Sequence, residues 1–297
     1  MALNLQPVAE ALESLGRRTP VASVLRSAEW ERVPVELRQR AQFSAGVESA
    51  RLLQHVQDGL MDILGAVRDE HGVIANRGEF IARLGALAEA EGIRPTDPNL
   101  RGGIQDIGSR VRGEMIYDVQ VQQAYGHANW KTGQSGDALE AAPAQELVRV
   151  VDSRVKRRWV DRWRAAGGKT FAGETPGLPL QEGISGIRLV ALKTDPVWTG
   201  ISRFGTPWPP FDFNSGMEVE DVLREEAEEL GLIESGAPEG ALGGPSGLAQ
   251  GPTQPGFNDN LEAKVSGMQP ELLNELLNFF GDQVQVVGDV IQWRARA

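Results

Sequence analysis

The sequence predicts a mainly α protein: an N-terminal helical bundle, then a small α+β subdomain with an irregular proline- and aromatic-rich segment, then a tethered C-terminal tail. Three observations lead there. Apolar residues recur at steps of three and four through much of residues 42–130, the spacing of one buried helix face. Short alternating runs of branched residues appear only downstream, at Glu146–Val151 and Ile187–Leu192. The run ESGAPEGALGGPSGLAQGPTQPG, residues 234–256, carries almost nothing that a core could bury and reads as a flexible tether. The expected divisions are an arm over 1–40, the bundle over 41–137, the subdomain over 138–233, the linker over 234–256 and a docking tail over 257–297.

Taken in order, the arm carries Leu5, Val8, Leu12 and Leu15 on one short apolar face ahead of Gly16, and Pro20 and Pro34 interrupt the residues beyond it. A helix this short is not stable alone in water, so it docks on its own body or on a neighbouring subunit. Gln42 to Arg68 reads as one long helix, with Phe43, Val47, Ala50, Leu53, Val56, Leu60, Leu64 and Val67 on its face. A second helix runs from Glu79 to Glu91 and ends at Gly92, a residue suited to a left-handed cap. A third begins near Gly103 and uses Ile104, Ile107, Val111, Met115, Val119 and Gln122. Gln120, Gln122, Gln123 and Asn129 near its end read as a solvated face or as a polar subunit contact.

Two strands are expected in the subdomain, at the alternating runs named above, with a helix from Arg157 to Ala166 between them that places Trp159 and Trp163 on one face. Residues 169–186 read as a loop, and Glu218 to Leu230 as an acidic helix capped by Gly231 and Leu232. In the tail, Leu272, Leu273, Leu276, Leu277 and Phe280 make a compact apolar helix. Val284–Val287 and Val290–Trp293 pair across Gly288-Asp289 as a hairpin. About forty residues cannot support a separate core, so this tail docks on the parent domain, another copy or a different protein.

The most informative stretch is Lys193 to Val222. Trp198, Phe204, Trp208, Phe211 and Phe213 lie among Pro196, Pro207, Pro209 and Pro210. The prolines rule out helix or central strand over 206–211, since each removes a backbone donor and forces its predecessor extended. Each ring hides roughly 150–250 Å² from water, so the five are expected to be mainly buried as an irregular hydrophobic plug. Pro207-Trp-Pro-Pro210 also satisfies a P-x-x-P pattern, for which burial is the simpler reading.

Composition and charge narrow the function. Forty-one acidic against 30 basic residues leave a net charge of −11, which argues against a dedicated nucleic-acid binder but not against a local basic patch. The absence of cysteine excludes disulfides and thiolate chemistry. No basic leader precedes an apolar run and no stretch is long enough to cross a bilayer, so synthesis in a cytoplasm is expected. His55, His71 and His127 have no metal-ligand spacing, no G-x-S-x-G or phosphate-loop motif is present, and no cofactor is expected. Gly167-Gly168-Lys169-Thr170 matches the end of a phosphate loop but follows a helix instead of a strand. Residues 149–169 hold eight basic against two acidic residues, and 218–239 nine acidic against one basic. Mutual neutralisation of the two segments is the first expectation. Contact of Arg154, Lys156, Arg157, Arg158, Arg162 and Arg164 with DNA phosphates or a protein partner is the second.

The run DPVWTGISRFGTPWPPFDFNSGMEVEDVLREEAEELGLI resembles the C-terminal part of the head morphogenesis, or minor head protein, family of tailed bacteriophages, which includes the Mu-like minor head proteins. QFSAGVESARLLQHVQDGLMDIL resembles that family's first long helix, EMIYDVQVQQAYGHANW its second, and AQELVRVVDSRVKRRWVDRW its entry into the small β-containing region. The resemblance covers roughly residues 40–233. It implies a structural virion component acting in head assembly at or near the portal, with portal and capsid proteins as partners and packaged DNA and further copies of the chain as additional candidates. Other readings are a head-to-tail connector, a capsid shell component, or an assembly-associated protease or hydrolase centred on His127. Many relatives carry a Cys/His cluster at the end of this region. This chain has none, and its Phe211-to-Gly216 turn stands there, with ring burial expected to replace the metal. The docking tail would engage partners through Leu272, Leu273, Leu276, Leu277, Phe280 and Trp293.

Overall fold

A computed structural model describes residues 6–21, 25–45, 47, 49–66, 77–153, 155–178, 184–235, 262–264, 270, 273–274, 277–278, 284–288 and 290–293. The chain is mainly α with a small antiparallel β part. It divides into two compact units, Met1–Tyr125 with Pro255–Ala297, and Gly126–Gln254. The division falls inside one helix, and the first unit takes in the arm, most of the bundle and the tail.

In the first unit, helix α1 (Gln6–Gly16) packs on α4 (Ala50–Ala66). Of the two alternatives for the arm, the structure shows docking on its own body. Ala11 and Leu15 are buried, and the buried Gln57 amide donates to the carbonyls of Leu15 at 2.6 Å and Arg18 at 2.9 Å, closing the end of α1. Strand β1 (Thr19–Val21) pairs in parallel with β2 (Ala41–Phe43), and between them lie α2 (Ser27–Trp30) and α3 (Val35–Arg40). The long helix expected from Gln42 therefore starts eight residues later. Ser49 sets that start: its hydroxyl accepts from the Leu52 amide at 3.0 Å, as an N-cap does. Phe43 belongs to the strand and stacks on Trp30, ring centres 4.0 Å apart. From there the reading holds, with Leu53, Val56, Leu60 and Leu64 buried along α4.

Helix α5 (Arg77–Ala90) ends as expected. Gly92 takes φ +65°, its amide bonds to the Glu89 carbonyl and that of Ile93 to Ala88, the paired bonds of a left-handed C-cap. Helix α6 (Arg110–Gly133) differs from its expectation in both start and face. Ile104 lies in the preceding loop, and Ile104 and Val111 are exposed. The face turned inward is Arg112, Ile116, Val119, Gln120, Gln123 and Ala124. Of the four polar residues near its end, Gln120 and Gln123 are buried while Gln122 and Asn129 are exposed, so neither reading covers the set.

The cause is a carboxylate. Asp106 is fully buried, takes both arms of Arg94 at 2.5 and 3.1 Å, and accepts from the amides of Gly102 at 2.8 Å and Gly108 at 3.1 Å. Residues 94–108 wind around it, and the helix begins only after Ser109, whose hydroxyl caps the Arg112 amide at 3.1 Å. Arg18 and Arg112 are buried against neutral partners: Gln120 and Ser14 for the first, Ser44 and the Ala45 carbonyl for the second. Burial lowers both guanidinium pKa values to about 10.

The described tail residues form a three-stranded antiparallel sheet of β8 (Glu262–Lys264), β9 (Val284–Val287) and β10 (Val290–Trp293), in the order β8-β10-β9. The expected hairpin is present with Val287 opposite Val290; β8 adds a strand that the sequence pattern does not signal, and it contacts α3. Trp293 pairs with Val284 in the register. Residues 270, 273–274 and 277–278 are helical, with Leu273 and Leu277 half-buried. Leu272, Leu276, Phe280, most of the linker and His71 lie outside the described residues.

The second unit is built on β3 (Ala144–Arg149), the middle strand between β6 (Val190–Leu192) and β7 (Met217–Val222), both antiparallel to it. All six residues of β3 are buried because the sheet carries a core on each side. Leu147, Ala191 and Met217 face one; Ala144, Val190 and Val222 face the other. The strand lies two residues before its expected position, leaving Val150 and Val151 exposed.

Met217–Val222 corrects the expected acidic helix: only Arg224–Glu229, α10, is helical. β3 is central and its second edge must be hydrogen-bonded, a demand that outweighs the helix propensity of the glutamates. The cap at Gly231 and Leu232 is as expected, with Leu232 bonded to the Ala227 carbonyl. The remaining elements are α7 (Gly136–Ala141), α8 (Trp159–Ala165), α9 (Val197–Ile201), and the two-residue strands β4 (Phe171–Ala172) and β5 (Ile187–Arg188), which pair within the region expected to be loop and at its edge.

Acid sensitivity follows from Asp106. The Arg94 guanidinium, helped by two amides and opposed by burial, lowers its carboxyl to about 2. An unfolded chain takes up that proton near 3.9, so the stabilisation is complete above about pH 5 and is lost as pH falls toward 2. The thermal midpoint should drop through that window, and Asp106→Asn should lower the midpoint at neutral pH while flattening the acid decline.

Candidate interaction surface: an aromatic plug held by one aspartate

The plug begins where Asp195 accepts the Val197 amide at 2.8 Å and starts α9. Trp198 on that helix is fully buried, donates its indole N–H to the Leu192 carbonyl at 2.8 Å, and packs edge-on against Trp163 at 5.0 Å and beside Phe211 at 5.8 Å. Trp163 and Trp159 are both buried on one face of α8, as their spacing predicts. Pro207 to Pro210 are buried as well, which agrees with burial as the reading of the P-x-x-P run; the Pro209–Pro210 peptide is cis.

Trp208 lies against His127 at 5.0 Å and Trp130 at 5.2 Å, on the last turns of α6. Gly126 makes this approach possible: a Cβ there would stand 2.2 Å from the Pro209 carbonyl oxygen and 2.8 Å from the Trp208 ring. Three of the five expected rings, Trp198, Trp208 and Phe211, are therefore buried. Phe204 and Phe213 are less buried. They are partly buried and pack edge-to-face on each other at 4.7 Å, outside the core cluster that holds Trp198 and Phe211.

Between Phe211 and Phe213 sits Asp212, its side chain 3% exposed. Its oxygens take Arg162 at 2.9 Å, Arg157 at 3.3 Å, Arg203 at 3.3 Å and the Phe213 amide at 2.7 Å. Arg157 also reaches the Phe213 carbonyl at 2.6 Å and the Ser153 hydroxyl, and Arg162 lies 5.1 Å over the Trp159 ring. The buried Arg149 donates to the Ser215 carbonyl at 3.0 Å. Gly216, at φ +68°, closes the turn where a Cβ would meet the Val151 carbonyl oxygen at 1.9 Å. The expected replacement of a metal by ring burial is thus incomplete: an arginine-bound carboxylate fixes this turn.

That arrangement divides the six expected contact arginines and lysine. Arg157 and Arg162 serve Asp212. Lys156 and Arg164 are exposed, as is Arg158, which pairs with Asp161 at 2.7 Å. Arg154 lies outside the described residues. The expected pairing of the basic with the acidic segment is not what these contacts are. Glu226 binds Arg188, which also holds Glu146; Asp221 binds Lys193; and Arg224 binds Glu140. Glu146, and then Glu226, raise the Arg188 pKa.

Gly167-Gly168 is a helix cap. Gly167 takes φ +88°, the Gly168 amide bonds to the Trp163 carbonyl, and the Lys169 carbonyl accepts the Trp163 indole N–H at 2.7 Å. His127 is wholly buried beside two indoles, and His55 is exposed. Among the described residues no group of three or more His, Asp or Glu is placed to hold a metal, and no helix is long and apolar enough to cross a membrane. A groove of about 310 Å³ lies between α4 and α5 in the first unit, floored by Val56, Ile63, Phe80 and Leu84 and edged by Asp58 and Glu79.

Sequence reasoning missed Asp212, Arg203, Asp106 and Gly126. A lone acid between two phenylalanines in an otherwise apolar run was the available signal for Asp212. Gly126 carried none, since its neighbour at Pro209 is 83 residues away. Comparison with protein-family models, with curated proteins and with solved structures returned no match.

The plug can be tested at three positions. Trp208→Ala should cost about 3–5 kcal/mol in denaturant unfolding, and Gly126→Ala should lower the thermal midpoint although alanine favours helix elsewhere. Asp212→Ala should cost about 3–5 kcal/mol by leaving three guanidiniums without their shared anion, and the loss should be visible as quenching changes of the surrounding tryptophans.

Proposed function

We propose that this chain is a structural minor head protein of a tailed phage, acting in head assembly at or near the portal through protein–protein contacts and without a chemical step. What carries the reading is the sequence resemblance over residues 40–233, whose most distinctive run, 195–233, is an ordered, core-forming part of the fold. Such a run is constrained by packing demands, not by a reaction. Its partners in this proposal are the portal and capsid proteins, and its place is the virion head after synthesis in the host cytoplasm. Packaged DNA is a further partner, met by the exposed Lys156, Arg158 and Arg164, in a contact that would weaken steeply with salt and ignore sequence.

Quantitative mass spectrometry on purified particles tests the proposal. A copy number near that of the portal is expected. A count near that of the major capsid protein would make the chain a shell component, and absence from the particle would overturn a virion role.

A further inference from the structure

The antiparallel ladder of β3 and β7 is six residues long, with Arg149 opposite Met217 at one end and Ala144 opposite Val222 at the other. At about 3.4 Å per residue its ends are about 17 Å apart. Each end displays apolar side chains to solvent, the first with exposed cations among its charges and the second with mainly carboxylates.

At the Arg149 end the chain continues into Val150, Val151 and Val155, which are 58, 58 and 61% exposed. These three valines are held by backbone contacts. The amides of Val150 and Val151 both bond to the Gly216 carbonyl, at 2.9 and 3.2 Å, and Arg157 donates to the Val155 carbonyl at 3.0 Å. Lys156 and Arg158 stand beside the valines, exposed, as is Asp152, and Arg158 pairs with Asp161. At the Val222 end the next residue is Leu223, 62% exposed, its backbone fixed as the start of α10 by the Ala227 amide at 2.9 Å. Glu220, Asp221 and Glu225 surround it in sequence, all exposed; Asp221 binds Lys193, and the adjacent Arg224 is engaged by Glu140.

We propose that these two ends bind each other between copies of the chain, Val150, Val151 and Val155 of one molecule seating on the Leu223 end of the next. Within one molecule the rigid ladder keeps them apart. Between molecules they match in both respects that matter: exposed apolar side chains meet, and Lys156 faces the carboxylates beside Leu223. Because both surfaces are already ordered, little conformational entropy is lost on contact. The chain's net charge of −11 opposes indiscriminate association, so a local basic site is the place where a second copy can approach. Such a contact is head-to-tail, and repeated it closes into a ring or runs on as an open array. It does not depend on the phage reading.

Sedimentation velocity on the full chain tests this. The mass should exceed the 32.2 kDa monomer, rise with concentration and fall as salt is added. Val155→Asp and Leu223→Asp each spoil one end, and each alone should be monomeric with an unchanged melting curve, since both side chains are mostly exposed. Mixed in equal amounts they should form a dimer that grows no further, because each supplies the end the other lacks. Lys156→Glu and Glu225→Lys give a second pair: each should weaken association alone, and a chain carrying both should regain it. A wild-type monomer at every concentration, association that the single variants leave intact, or a mixture that stays monomeric would each overturn the proposal.

Discussion

One buried carboxylate holds the irregular half of the second unit in place. Residues 202–216 have no helix or strand, and four prolines in and before them have removed the donors that regular structure would use. Rings alone give such a segment a reason to be inside but not a unique path. Asp212 supplies the path by drawing Arg157 from the loop before α8, Arg162 from α8 itself and Arg203 from the plug to a single point. Burying a charge is costly, and here three guanidiniums and the Phe213 amide offset that cost while setting geometry that hydrophobic contact would leave loose.

The first unit uses the same device once more. Asp106, with Arg94 and two amides, winds a loop that has little apolar content to order it. Arg18 and Arg112 are the contrasting case, buried against hydroxyl, amide and carbonyl oxygens with no carboxylate among the contacts described, and their lowered pKa values record that difference. In both units the backbone imposes what side chains do not. β3 has cores on both faces and needs partners on both edges, so a glutamate-rich run that would favour helix in isolation is recruited as β7.

The distribution of charge has a consequence for binding. In residues 149–169, Arg149, Arg157 and Arg162 are engaged internally, on Asp212 and on the turn closed by Gly216, while Lys156, Arg158, Arg164 and Lys169 are exposed. The acidic run is likewise partly engaged, by Arg188, Lys193 and Arg224. Which of these charges remain at the surface is a feature that no count along the chain displays.

The sequence by itself determined the elements whose signals are local. The stripe of α4, the caps at Gly92 and Gly231, the tryptophan pair on α8 and the hairpin of the tail all depend on spacings of four residues or fewer, or on one glycine's freedom at positive φ. It also marked the plug, because prolines exclude regular structure wherever they occur. Only the tertiary structure decided the rest: that Met217–Val222 is a strand, that α6 turns glutamines and an arginine inward, and that Asp212 and Asp106 organise the loops around them. Each of these turns on a neighbour far along the chain, and the free energy of a buried hydrogen bond or ion pair belongs to the pair, so neither partner's local sequence contains it.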